Sequence, residues 1–156
     1  MEYKTKVNAT ENTQEILIRR EFNLPVDLLY RAYTEAEFLE QWMGTYVLLL
    51  EAKQHGAYRF QTTDKDGHVL FQCHGVFHDV MPNQKIIRTF AMEHVPAEPQ
   101  LEFLEFWPIS ESSSLLTIQM IYRSVAARDY TLKLPFAMGL NMAHDRLEKI
   151  CSAKIH

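Results

Sequence analysis

At 156 residues the chain is long enough for one domain with a real core and too short for two comfortable ones. A net charge of -4 and a pI near 6.0 argue against a nucleic-acid binder, which carries a basic stripe, and no Lys/Arg cluster is longer than Arg19-Arg20. No apolar run approaches the roughly 20 residues of a membrane helix; the longest, Tyr46 to Leu50, is strand-sized.

The opening MEYKTKVNATENTQE is polar, so no signal peptide is expected, and residues 1–14 read as a loose lead-in to one domain over 15–156. Glu15 to Phe22 alternates as a first strand, with Ile16 and Ile18 on one face. Leu24-Pro25-Val26 opens a helix, since proline is tolerated in a first turn, and Val26, Leu29, Tyr30 and Tyr33 follow at helical spacing. Thr34 and Glu37 read as a capping box starting a second short helix, whose apolar face is Phe38, Leu39 and Trp42 and whose end is Gly44.

From Thr45 to about Arg123 the chain reads as consecutive strands. These are 46–52, 57–63, 68–80, 85–92, 101–107 and 115–122. Asp64-Lys65-Asp66-Gly67 is a hairpin turn with the strong Asp-Gly signal, and Gly75 predicts a bulge or bend in the long strand. Tight turns between short strands predict antiparallel pairing. A last helix runs from Pro135 to about Lys154, about 30 Å at 1.5 Å per residue. Phe136, Leu140, Ala143, Leu147, Ile150 and Cys151 form its apolar stripe; Asp145, Arg146, Glu148 and Lys149 form its wet face, with Asp145 and Lys149 at supportive i,i+4 spacing. The expected class is therefore α+β, a curved antiparallel sheet crossed by one long helix.

Four segments carry a resemblance. LPVDLLYRAYTEAEFLEQW, HGAYRFQTTDKDGHVLFQCHGVF, DVMPNQKIIRTF and GLNMAHDRLEK resemble, in that order, the helix pair, the hairpin with its glycines, a strand pair and the last helix of SRPBCC (START-like, helix-grip) domains. Among these, the chain is most similar to the homologues of the heat-shock ATPase activator. The resemblance implies a grip cavity between the last helix and the sheet. It also implies three readings of function, because the fold hosts carriers, cyclases and co-chaperones. Where the family often has Gly-Gly, this chain has His55-Gly56; Leu140 stands where Trp or Met is common, and His144 where a large apolar residue is usual.

His144 shares a face with Leu140 and Leu147. It is either a polar anchor for a ligand, a general acid/base, or a buried neutral histidine bonded to a hidden partner. The leading expectation is a non-enzymatic site for a hydrophobic or amphipathic small molecule, a lipid or an aromatic. Its cavity residues are Phe136, Leu140, Ala143, His144 and Leu147, opposed by Trp42, Phe60, Trp107, Met120 and Tyr122. A cyclase or hydrolase on an aromatic or polyketide-type substrate, and a co-chaperone or homodimer using the outer sheet face, are the alternatives.

No catalytic set stands out. The seven histidines show no HxH or HExxH pattern, and position twelve from Asp64 is Gly75, which cannot ligate calcium, so no metal site is expected. Glu102 and Glu105 lie on a strand whose two faces are equally mixed, and solvated outer-face carboxylates are the default. Cys73 and Cys151 lack CxxC spacing, so two free thiols in a cytoplasmic protein without a cofactor are expected.

Overall fold

A computed structural model describes residues 2–155; Met1 and His156, the last of the histidines, lie outside the described residues. The elements are β1 (Lys6–Asn8), β2 (Glu15–Phe22), α1 (Val26–Thr34), α2 (Ala36–Met43), β3 (Tyr46–Leu50), β4 (Ala57–Thr63), β5 (Val69–Met81), β6 (Lys85–Met92), β7 (Gln100–Pro108), β8 (Ser114–Ile121), α3 (Val125–Lys133) and α4 (Phe136–Ser152). One antiparallel sheet runs in the order β1-β2-β8-β7-β6-β5-β4-β3.

Several local readings hold. Gly44 ends α2 in the left-handed region at φ 64, where a side chain would be strained. Strict alternation on β2 and β8 buries Ile16, Ile18, Leu116 and Ile118 on one face.

Four expectations need correction. The lead-in is not loose: Lys6–Asn8 pairs with β2, and the Thr5 side chain is buried. Thr34 caps nothing. It is the last residue of α1, its hydroxyl donates to the Tyr30 carbonyl at 3.0 Å, and Glu35 is the residue that leaves helical geometry. The bulges in β5 fall at His78, between Phe77 and Asp79 against β6, and at Leu70, between Val69 and Phe71 against β4, and not at Gly75. Gly75 answers a different need: a Cβ there would lie 2.0 Å from the Thr89 carbonyl oxygen and 2.6 Å from the Tyr58 hydroxyl. Finally, α3 was not anticipated. Only Arg128 of that helix is buried, so it has almost no apolar stripe; its one local signal is Ser124, whose side chain accepts the Ala127 N–H at 3.1 Å.

Register fixes which side chains share the concave face. Ile16, Met120, Glu102, Arg88 and Phe77 form one row across five neighbouring strands. On one side of this row lie Ile18, Ile118, Leu104 and Ile86, all buried. On the other lie Gln100 paired with Phe90, then Met92, Cys73 and Phe60, then Phe71 and Thr62. Of these, Phe90, Gln100, Met92, Phe71 and Thr62 are only half-buried. The concave face therefore has a sealed half and a loose half.

The helices explain this asymmetry. α4 packs chiefly on α2, with α1 and α3 as further neighbours, and α1 rests on β7 and β8. α1 and α2 thus fill the space between α4 and the sheet. They do so under the second half of α4, where His144, Leu147 and Cys151 are fully buried. Arg128 of α3 donates to the carbonyls of Thr10 and Glu15, so α4 starts near the strand ends where the loose half lies. There Phe136, Leu140 and Ala143 are only half-buried.

Candidate functional site

His144 is 0% exposed, and both of its ring nitrogens are engaged. Nδ1 lies 2.9 Å from Thr5 Oγ1 and Nε2 lies 2.8 Å from the Tyr33 hydroxyl. Phe22 meets the ring edge-on at 5.3 Å and Trp42 lies at 6.2 Å. Burial, and then the neighbouring Arg20 guanidinium, pull its pKa down to about 3. The imidazole is therefore neutral at pH 7, with one nitrogen donating and the other accepting. No nitrogen is left over for a ligand or a proton relay.

Arg20 completes this buried network. Its side chain is 0% exposed, and Nη1 donates to Asp145 Oδ1 at 2.9 Å and to Thr5 Oγ1 at 3.2 Å, while Nη2 donates to Glu148 Oε2 at 3.3 Å. The Phe22 ring lies 4.9 Å from the guanidinium carbon. The Thr5 N–H donates to Asn141 Oδ1 at 3.1 Å. Asp145 and Glu148, read from the sequence as a wet face, thus reach in to one buried cation. The cluster ties the N-terminal segment, β2 and α4 together and closes the sealed half.

A second buried polar group sits at the border with the loose half. Arg88 and Glu102 are cross-strand partners, with Arg88 Nε donating to Glu102 Oε1 at 3.0 Å. Gln100 Nε2 donates to Glu102 Oε2 at 2.7 Å, and the Arg88 guanidinium carbon lies 5.2 Å from the Tyr58 ring centre. The Tyr58 hydroxyl passes over Gly75 to donate to the Thr89 carbonyl at 2.5 Å. Burial raises the pKa of Tyr58 and of Tyr33, and pushes Cys73 up to about 12, so none of the three ionises near neutrality. Glu102 is thus not the solvated carboxylate that was expected; Glu105, on the opposite face, is exposed.

The structure separates the predicted cavity residues into groups. Phe136, Leu140 and Ala143 lie on the loose half of α4, while Leu147 and Trp42 are sealed in the core, the Trp42 indole donating to the Ala32 carbonyl at 2.8 Å. Met120 is on the concave face beside Glu102, and Phe60 and Tyr122 are buried toward the same strand ends. Trp107 stands on the outer face and is 49% exposed, because Phe106 and Leu104 take the inward positions of β7. Arg88, Phe71 and Phe90 were not singled out for a site. An arginine amid apolar strand residues, in IIRTF, was the available signal.

Two open surface hollows, of about 550 Å³ beside Lys4, Lys6 and Arg19 and about 390 Å³ beside Gly44 and Thr45, touch none of the predicted lining. The ligand-capable atoms of Asp64, Asp66 and His68 also converge. Asp64 Oδ1 accepts the backbone N–H groups of Asp66 at 2.8 Å and His68 at 2.9 Å, so the turn itself accounts for that cluster.

A curved antiparallel sheet gripped by one long C-terminal helix defines the helix-grip class. The chain belongs to the family of activator of Hsp90 ATPase homolog 1-like proteins, whose model matches residues 23–152. It superimposes with a TM-score of 0.83 on a Rhodobacter sphaeroides protein at 19% identity, covering 96% of this chain and 98% of that one. A Mycobacterium smegmatis protein gives a TM-score of 0.82 at 17% identity, with 94% and 95% covered. A protein of the dynemicin biosynthetic locus gives 0.70 at 13% identity, covering 90% of this chain and 48% of that one. No curated protein matches the chain. Among the described residues, no helix is long and apolar enough to cross a membrane.

Proposed function

We propose that the protein binds an apolar or amphipathic small molecule, without catalysing a reaction on it, in the loose half of the grip. One observation carries this reading: the concave face is sealed on one side of the Arg88–Glu102 row and half-exposed on the other, where Phe71, Phe90 and Met92 lie, and Phe136 and Leu140 are half-buried at the start of α4. Phe71 and Phe90 stack at 6.5 Å and offer an aromatic wall. Ligand sites combine such surfaces with a few placed polar groups. The rim helps too. Met138 and Met142, on the exposed side of the same helical turns, are flexible side chains suited to varied apolar shapes.

An interaction module docking through the outer sheet face is less well supported. Trp107 and Leu17 are exposed there, but the row Arg19, Thr117, Glu105 and Lys85 lies between them and breaks the apolar surface with charge.

Native mass spectrometry of the protein as purified, followed by denaturation and identification of anything released, tests the proposal. A bound apolar molecule of small mass supports it. An empty protein that also shows no thermal shift with any lipid or aromatic of a broad panel refutes it.

A further inference from the structure

The Arg88 guanidinium uses only part of its hydrogen-bonding capacity. Its five N–H donors include four on Nη1 and Nη2, yet among the described residues only Nε has a hydrogen-bond partner. Arginine–carboxylate pairs are frequently bidentate, with two parallel bonds; this one is met from the side by a single nitrogen. The side chain of Arg88 is 13% exposed and that of Glu102 is 3% exposed. Among the described residues, the buried side-chain polar atoms left without partners are Arg20 Nε and Thr45 Oγ1, so Nη1 and Nη2 of Arg88 retain access to open space. Ile86, Leu104 and Ile118 block that access on the sealed side, which leaves the loose half.

The surroundings define what those nitrogens can hold. They only donate, so the partner must be an acceptor. Glu102 already neutralises Arg88, and each of its oxygens already accepts one hydrogen bond, one from Arg88 and the other from Gln100. A carboxylate ligand would bring a second negative charge beside Glu102 with one cation for both, in surroundings that screen poorly. A hydroxyl could accept, but it brings a proton that needs an acceptor of its own, which Glu102 offers only by sharing an oxygen already bonded to Arg88 or Gln100. A neutral carbonyl oxygen has neither difficulty. We propose that the ligand is an apolar molecule bearing a ketone, ester or lactone carbonyl, and that Arg88 Nη1 and Nη2 hold this oxygen while Glu102 and the Tyr58 ring position the guanidinium. This inference rests on the small-molecule reading above.

Equilibrium dialysis of three probes separates the two claims. The probes are 2-acetylnaphthalene, 2-isopropenylnaphthalene, which has the same shape without the acceptor, and 2-naphthoate. The wild type should bind the ketone about tenfold more tightly than the hydrocarbon, as one hydrogen bond to a charged group implies. The double variant Arg88→Met/Glu102→Gln, which leaves no buried charge behind, should bind both equally, at the wild-type affinity for the hydrocarbon.

Equal binding of ketone and hydrocarbon by the wild type, or a preference surviving in the variant, overturns the Arg88 anchor and leaves the small-molecule reading standing. Naphthoate binding most tightly overturns the neutral-carbonyl class. If the wild type binds none of the three, this inference falls, while the small-molecule reading stands or falls with the released-molecule and broad-panel result above. Should the double variant not fold, infrared spectroscopy on the wild type decides the matter. The bound carbonyl stretch should move to lower frequency than in an alkane, and an unmoved band overturns the anchor.

Discussion

His144→Leu tests the buried network most directly. The change keeps roughly the same volume and removes both ring nitrogens. Thr5 Oγ1 keeps its contact with Arg20, but the Tyr33 hydroxyl, 3% exposed as a residue, loses its partner at 2.8 Å. Leaving one buried hydroxyl unsatisfied costs about 1–3 kcal/mol, so about 2 kcal/mol of destabilisation is expected at pH 7.5 in urea denaturation. The pH dependence then separates this cause from simple repacking. The folded imidazole has a pKa of about 3, below its ordinary 6.5. As pH falls below 6.5 the unfolded chain takes up a proton that the folded protein refuses. Wild-type stability is therefore fully present above pH 6.5 and falls progressively down to about pH 3, by about 1.4 kcal/mol per unit. The leucine variant has no such loss. At pH 5 the wild type has given up about 2 kcal/mol through this one group, and the two proteins should be nearly equal in stability. A gap that is absent at pH 7.5, or that stays constant between pH 7.5 and 5, would refute the reasoning.

Other expectations follow from individual contacts. Gly75→Ala should cost about 3 kcal/mol or more, because its methyl would overlap the Thr89 carbonyl and the Tyr58 hydroxyl; a melting curve close to wild type would show that the sheet yields there. Gly139→Ala meets nothing within 4 Å and lies inside α4, so it should stabilise by about 0.5–1 kcal/mol in the same assay. Thr5→Val should cost about 1–3 kcal/mol by unsatisfying the His144 ring and part of Arg20, although the sequence around it reads as an unstructured lead-in; denaturant midpoints check this. Trp107→Ala should leave the affinity for 2-acetylnaphthalene unchanged, since the residue stands on the outer face; a loss beyond threefold would place it at the site after all.

What was legible along the chain was local. Alternation on β2, the Asp-Gly turn, the glycine closing α2 and the stripe on α4 are each set by a few neighbouring residues, through pleat, helical period and turn geometry. Those signals were enough for the α+β class and for the order of the elements from β2 to β8 and α4; the helix-grip class came through the family resemblance. They failed where local chemistry is silent or double-valued, as in α3, which buries almost no apolar stripe, and Thr34, which remains in its helix.

The candidate site belonged to the second kind. β7 carries carboxylates and aromatics on both faces, so alternation alone could not choose between Glu102 and Glu105. Pairing with β6 chose, by setting Glu102 opposite Arg88 on the concave side. His144 could be placed on the inner stripe of α4 from its spacing alone. Whether it was free for a ligand depended on Thr5 and Tyr33, which lie 139 and 111 residues away in the chain. A hydrogen-bond partner that distant leaves no periodic trace in a single sequence. Which polar group is satisfied and which keeps free donors is decided only when the sheet closes its register and the helices settle on it. That step satisfied His144 and left Arg88 with two unused nitrogens.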